Sequence, residues 1–349
     1  LEASAVLDIF ASNIFGVVAL TDAITNLPFK PGRVGELGIF STGSVPVTTI
    51  VIEERDGQLV LIPPTPRGGP GTTVQRLRRR ARNLTIPHFE INDAIMAEEV
   101  QGVRAFGTES QLETVMDKVL EHGELHVNSF DVTEEYHRLG AIKGLVTYAD
   151  GTTLNLYTEF NVAKLAPVNF DLKNTSYPMG RLRQFVSNLV RTIGTELGGL
   201  PFTRLWALCG DDFFDALIGH QEVRQTFLNW TEAQILRDGY VGPNASTWGS
   251  FSFGGVVFEN YRGFVGGTHF IEPDECYIFP LGVPNLFRTV YGPADYLETV
   301  NTMGRRLYAK QYPMENDKGV NFDVQTNALQ YCTRPRVLLT GTLNSDLPD

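Results

Sequence analysis

The chain is poor in cysteine, in lysine and in long apolar runs. Its three cysteines, Cys209, Cys276 and Cys332, are far apart, odd in number and in no Cys-x-x-Cys pair. That pattern argues against a disulfide framework or a zinc site and fits buried thiols in a reducing compartment. No run of about 18 apolar residues occurs, so the sequence offers no membrane-spanning helix. The opening LEASAVLDIFASNIFGVVAL is apolar, but Asp8 and Asn13 interrupt it and no basic segment precedes it. It does not read as a signal peptide. A Gly-x-Ser-x-Gly elbow is missing, as is the Gly-Lys-Ser/Thr ending of a phosphate loop. No internal repeat or low-complexity tract is found.

What is present is a chain of 349 residues, 42% hydrophobic and 20% charged. Such a chain can bury a real core and form about two domains. The net charge is -11. A dedicated nucleic-acid binder needs a basic face, so this balance argues against one. It is compatible with a protein that lives near nucleic acid without adhering to it. Of the 29 basic residues, 22 are arginine, a residue favoured in interfaces.

TTIVIEERDGQLVLIPPTPRGGPG, Thr48 to Gly71, reads as two strands, Thr48–Arg55 and Gln58–Ile62, joined at Asp56-Gly57. Asp-Gly suits the type I′ hairpin turn, which needs positive φ twice. Ile50 and Ile52 lie on one face of the first strand and Val51 on the other, while Leu59 and Leu61 oppose Val60 and Ile62. A hairpin apolar on both faces must rest on something on each side. The arginines Arg76, Arg78, Arg79, Arg80 and Arg82 follow. They read as an inter-subunit contact to acidic surface of another copy, against a solvated basic face or a nucleic-acid patch.

From Thr108 a capping-box pattern opens a helix that can be traced through Leu112, Val119, Leu125, Leu139 and Ile142 to Gly144. Gly123 and the polar stretch near Asn128 are places where it could kink. LVTYADGTTLNLYTEF predicts a second hairpin turning at Asp150-Gly151. Leu182, Phe185, Leu189, Ile193 and Leu197 predict a helix ending at Gly198-Gly199. TRLWALC, FSFGGVVFENYRG, ECYIFPLG and the segments after Arg305 predict strands. DDFFDALIGHQEVRQTFLNW predicts one or two short helices, and ADYLETVNTM another.

The catalytic signals are weak. HGELH places His122 and His126 four apart on a helix, but a zincin glutamate would directly follow the first histidine, so an exposed polar helix face is the expectation. Asp211, Asp212 and Asp215 form a carboxylate group that helix capping near Asp211 or Asp212 explains more simply. The expectation is therefore no enzyme, no metal and no cofactor.

The order of parts resembles the major capsid proteins of tailed bacteriophages, and more narrowly the lambda-type major capsid protein E family. The resemblance is carried by LTDAITNLPFKPGRVGELGIF, the hairpin sequence, the arginine run with Ile86–His88, EVQGVRAFG from Glu99 and YHRLGAIKGLVTYADG from Tyr136. It implies an α+β fold with an N-terminal arm at 1–41, an extended β-hairpin loop at 42–90 and a peripheral domain with a long spine helix at 91–170. An α/β axial domain at 171–327 and a return to the peripheral domain at 328–349 complete it. The loop residues Ile50, Ile52, Asp56, Gly57, Leu59 and Leu61 would lie over a neighbouring subunit.

The implied function is a structural virion protein that self-assembles in the host cytoplasm into hexamers and pentamers of an icosahedral head. Its partners would be itself, a scaffold protein, a portal, a decoration protein and packaged double-stranded DNA without sequence-specific contacts, with procapsid expansion as maturation. The alternatives are an encapsulin-like compartment shell and, from another class, a soluble α/β hydrolase or metal enzyme using His122, His126 or Asp211.

Overall fold

The structure, a computed structural model, describes residues 32–55, 79–96, 98–99, 111–174, 178–228, 250–265, 267–314 and 318–343. In chain order, α1 (Arg33–Glu36) precedes β1 (Phe40–Ser44), β2 (Thr49–Arg55), β3 (Arg79–Thr85) and β4 (Phe89–Met96). Next come α2 (Gln111–Lys143), β5 (Leu145–Thr147), β6 (Thr153–Asn155), α3 (Leu156–Phe160) and β7 (Val168–Asn169). Then follow α4 (Arg181–Glu196), β8 (Arg204–Cys209), α5 (Asp211–Gly219) and α6 (Gln221–Leu228). The remaining strands are β9 (Ser250–Phe253), β10 (Val256–Asn260), β11 (Phe264–Val265), β12 (Thr268–His269), β13 (Glu275–Leu281), β14 (Phe287–Tyr291), β15 (Tyr308–Pro313), β16 (Gly319–Thr326), β17 (Ala328–Cys332) and β18 (Leu339–Thr342). The chain divides into two compact units, one of residues 1–52, 83–138 and 288–330, the other of 53–82, 139–287 and 331–349.

In the first unit β15, β16 and β4 form an antiparallel sheet. Strand alternation puts Ile91 and Ile95 of β4 on the same face as Val320 and Val324 of β16. That face packs on α2 through Val119, Val127 and Phe130, with Phe322, Ala309 and Leu307 completing a buried core. Helix α2 runs 33 residues without a break, about 50 Å at the helical rise. Gly123 and Asn128 do not interrupt it. It stops where expected, at Gly144, whose φ of +77° a side chain would strain.

The second unit is built on a six-stranded sheet of order β7-β18-β13-β8-β10-β9. Strands β8, β10 and β13 are apolar almost throughout, as expected for a sheet covered on both faces. Leu182, Val186, Leu189 and Ile193 recur at helical spacing on the buried side of α4. Phe213, Phe214 and Leu217 do the same on α5. The β9–β10 hairpin turns through Gly254 and Gly255, both at positive φ.

Two expectations differ from the structure. The Asp150-Gly151 turn is present, with Tyr148 and Thr152 joined at 2.9 Å, but the second strand ends at Asn155. The Asn155 side chain accepts from the N–H groups of Tyr157 and Thr158, so LYTEF winds into α3 instead of extending. ADYLETVNTM holds only a 3-10 turn, Leu297–Thr299. Leu297 is 94% exposed, so the segment lacks the buried apolar face that would fix an α-helix. Thr108, expected as the helix cap, lies outside the described residues.

Candidate functional site

The sequence places the assembly site on the hairpin and the arginine run. Strand β2 carries its first half. Ile50 is buried and Val51 is 62% exposed, so alternation along β2 gives one covered and one open face. Ile52 is half-buried. Among the described residues β2 pairs with β3, and Ile86 N–H donates to Thr48 O at 2.9 Å just beyond the pair. Asp56, Gly57, Leu59 and Leu61 lie outside the described residues, as do Arg76 and Arg78. Arg79 and Arg80 stand on β3. Arg82, half-buried on the same strand, donates from Nη1 to the carbonyl oxygen of Glu159. The arginine run is thus in part a strand, which consecutive arginines alone do not signal.

The candidate catalytic groups fall into two separate places. His122 and His126 do not line an exposed face. His122 Nδ1 and His126 Nε2 both lie 2.8 Å from Asp93 Oδ2, and His122 Nε2 lies 3.4 Å from Glu99 Oε2. The cause is β4. Asp93 occupies the row of Phe89, Ile91 and Ile95, so it points at α2 among apolar neighbours. Desolvation pushes its carboxyl up, but hydrogen bonds from His122, the Ala94 N–H and His126 hold it below the usual carboxylate range. The lone charge in the apolar row of FEINDAIM was the available signal. Glu124 is exposed on the opposite side of the helix turn.

Asp211 and Asp212 stand in the first turn of α5, next to its N-cap Gly210, near the N-cap as the sequence leads one to expect. Asp211 Oδ1 accepts from Asn260 Nδ2 at 2.9 Å and from Arg262 Nε at 3.0 Å, which ties the helix start to the end of β10. Asp212 and Asp215 are exposed. Among the described residues no group of three or more His, Cys, Asp or Glu side chains is disposed to hold a metal ion, and no helix is long and apolar enough to cross a membrane.

A buried ionic network that the sequence reading missed sits on α2. Glu134 accepts from Arg138 Nη2 at 2.8 Å and from the Tyr291 hydroxyl at 2.7 Å through one oxygen, and from Arg306 Nε at 3.2 Å through the other. Arg306 also pairs with Asp131. Charges this buried are tolerable only when paired. Burial pushes the neighbouring His137 down to about 4, against the opposing pull of Glu134. Glu134, His137 and Arg306 line a small cavity together with Phe89, Phe130 and Leu307.

Two further glutamates act at a distance. Glu135 of α2 accepts from Val34 N–H at 2.6 Å and Gly35 N–H at 3.0 Å, at the start of α1. Glu222 of α6 accepts from Leu182 N–H at 3.1 Å and Arg183 N–H at 3.0 Å, at the start of α4. Each supplies from elsewhere in the chain the acceptor that a helix N-terminus requires.

These contacts are anchors between residues far apart in sequence. The family model for phage major capsid protein E matches residues 16–343. The chain belongs to the phage major capsid protein E family. As a member it is a structural shell protein. The major capsid protein of Salmonella phage Felix O1 is 28% identical, over 93% of this chain and 95% of that protein. The major capsid protein of Pseudomonas phage KPP10 is 25% identical, over 94% and 97%. The crystal structure of a prophage capsid protein of E. coli CFT073 superposes with a TM-score of 0.56 at 14% identity, over 94% of this chain and 99% of that one. That likeness shows the fold, the α+β capsid fold of tailed phages.

Proposed function

We propose that copies of this chain assemble into the closed icosahedral head of a lambda-type tailed phage, as hexamers and pentamers enclosing double-stranded DNA. The observation that carries the reading is the family match, which runs through nearly the whole chain, 16–343. In this reading 1–41 is an arm, 42–90 an extended loop laid on a neighbour, 91–170 and 328–349 a peripheral domain, and 171–327 an axial domain. The protein has no catalytic role. Its partners are further copies, a scaffold protein, a portal and a decoration protein, and it assembles in the host cytoplasm before the head expands.

The physical support is distributed. The excess of acidic groups opposes adhesion to DNA phosphates. The open face of β2 at Val51 and the exposed Leu297, Val300 and Met303 supply apolar surface that a lone chain leaves to water. Large apolar contacts between copies are what an obligate shell requires.

Light scattering and electron microscopy of the purified full chain test the reading. The expected result is closed particles of uniform size. A variant with residues 56–78 replaced by a short Gly-Ser linker keeps β2 and β3 and is expected to fold without closing shells. A stable monomer or dimer from the unaltered chain, at every concentration and ionic strength tried, overturns the proposal.

A further inference from the structure

The six-stranded sheet places two thiols opposite each other. Cys209 of β8 and Cys276 of β13 are partners in the antiparallel register, and both are fully buried. Their hydrogen-bond class can be read from the adjacent pair. Gly210 N–H donates to Glu275 O at 2.9 Å, and these two residues are the next in register. Bonded and non-bonded pairs alternate along an antiparallel ladder, so Cys209 and Cys276 form a non-bonded pair. In such a pair the Cα atoms stand about 4.5 Å apart with side chains on one face. A disulfide accepts Cα separations of roughly 4.4–6.8 Å.

The other neighbour of Cys276 makes room. Gly341 of β18 is its partner in register, and a Cβ built there would stand 2.5 Å from Cys276 Sγ. Any larger residue at 341 would occupy the space in which the Cys276 sulfur rests. Cys332 lies on β17, outside this row.

We propose that Cys209 and Cys276 are a latent intramolecular disulfide, a redox-modifiable cross-link in the middle of the six-stranded sheet. Both are free thiols in this structure. The oxidant is a low-molecular-weight disulfide. One cysteine thiolate attacks it, forms a mixed disulfide and releases one small thiol. The second cysteine thiolate then attacks the protein sulfur of that mixed disulfide and displaces the other small thiol. One protein S–S bond forms, one small S–S bond breaks, and the two protons leave on the two released thiols. Burial pushes the Cys209 thiol up, so the closed sheet reacts slowly and exchange proceeds through local opening or during folding. The proposal is independent of shell assembly, since both sulfurs belong to one chain.

The test treats the purified full chain with oxidised glutathione in three conditions: native, in mild denaturant below the unfolding transition, and during refolding. Free thiols are then titrated in denaturant, and unreduced digests are mapped. Two of the three thiols are expected to disappear, in mild denaturant and on refolding faster than in the native state. A peptide pair joining Cys209 to Cys276 should appear, and the oxidised chain should melt at a higher temperature than the reduced one. Cys332→Ser should behave like the parent, whereas Cys209→Ser and Cys276→Ser should give no internal link. Retention of all three thiols in every condition, glutathione adducts alone, or a link that includes Cys332 overturns the proposal.

Discussion

Glu135 Oε1 accepts a hydrogen bond from the backbone N–H of Val34 at 2.6 Å, across 101 positions of sequence. With Gly35 on the other oxygen, one carboxylate closes the N-terminus of a single helical turn. Glu135→Ala leaves two N–H groups without that acceptor and is expected to cost about 1–3 kcal/mol, read by denaturant unfolding. Gly32→Ala attacks the same contact from the other side, because its Cβ would meet Glu135 Cδ at 2.3 Å. The two changes should be clearly less than additive in the double variant. Full additivity would show that Gly32 and Glu135 act separately.

His137 should impose a pH dependence on folding. It is neutral in the folded chain down to about 4, while an unfolded histidine takes its proton near 6.5. Over that window the unfolded chain binds the extra proton, so stability falls as pH falls from 6.5 to about 4, by roughly 3 kcal/mol in all. Unfolding curves of the parent and His137→Gln across this range check it. The variant should lose most of the slope. Parallel curves would assign the slope to other groups.

Asp93 acts in a lower window. Its folded carboxyl lies below the usual range, so its contribution is complete above about pH 4 and is lost as pH falls further. Asp93→Asn should be less stable than the parent at neutral pH and show a flatter decline below about pH 4. Thermal scans at closely spaced acid pH values measure this. An unchanged acid limb would mean that the His122 and His126 contacts carry no net free energy.

The two sides of α2 should respond unequally. Phe130, buried in the core with Val127 and Phe322, should lose about 3–5 kcal/mol on change to Ala. Leu125 is 63% exposed on the same helix, and Leu125→Ala should stay within about 0.5 kcal/mol. Equal losses in denaturant unfolding would contradict the packing described for this face.

Leu297→Asp separates folding from assembly. The side chain is almost wholly exposed, so chain stability should change by less than about 0.5 kcal/mol. If the Leu297–Met303 surface is covered by another copy, particle yield in light scattering should fall at least tenfold. Undiminished yield would remove this patch from the assembly interface.

Much of the fold was legible locally. Helical spacing and Gly144 marked the end of α2, and Asp150-Gly151 marked a hairpin. These signals depend on backbone conformations that few residues adopt. Leu156–Phe160 was misread because its β-like residues follow an asparagine cap that outweighs their propensity. The arginine run hid β3, since strand pairing depends on a partner far away in sequence. Glu135 and Glu222 were invisible for a similar reason: a cap borrowed from 101 or 40 positions away has no local motif. The His122–Asp93 contact could have been found from the charged position in an otherwise apolar strand row.

Strand β18 has a consequence for timing during synthesis. Its residues, Leu339–Thr342, lie between β7 and β13, both of which precede it in sequence. A ribosome must therefore pass Thr342 before the sheet can close, and contacts so distant in sequence form slowly. Truncated products lack an interior strand and expose two unpaired edges. Quality control is in effect written into the strand order: a chain that stops early cannot complete its second unit.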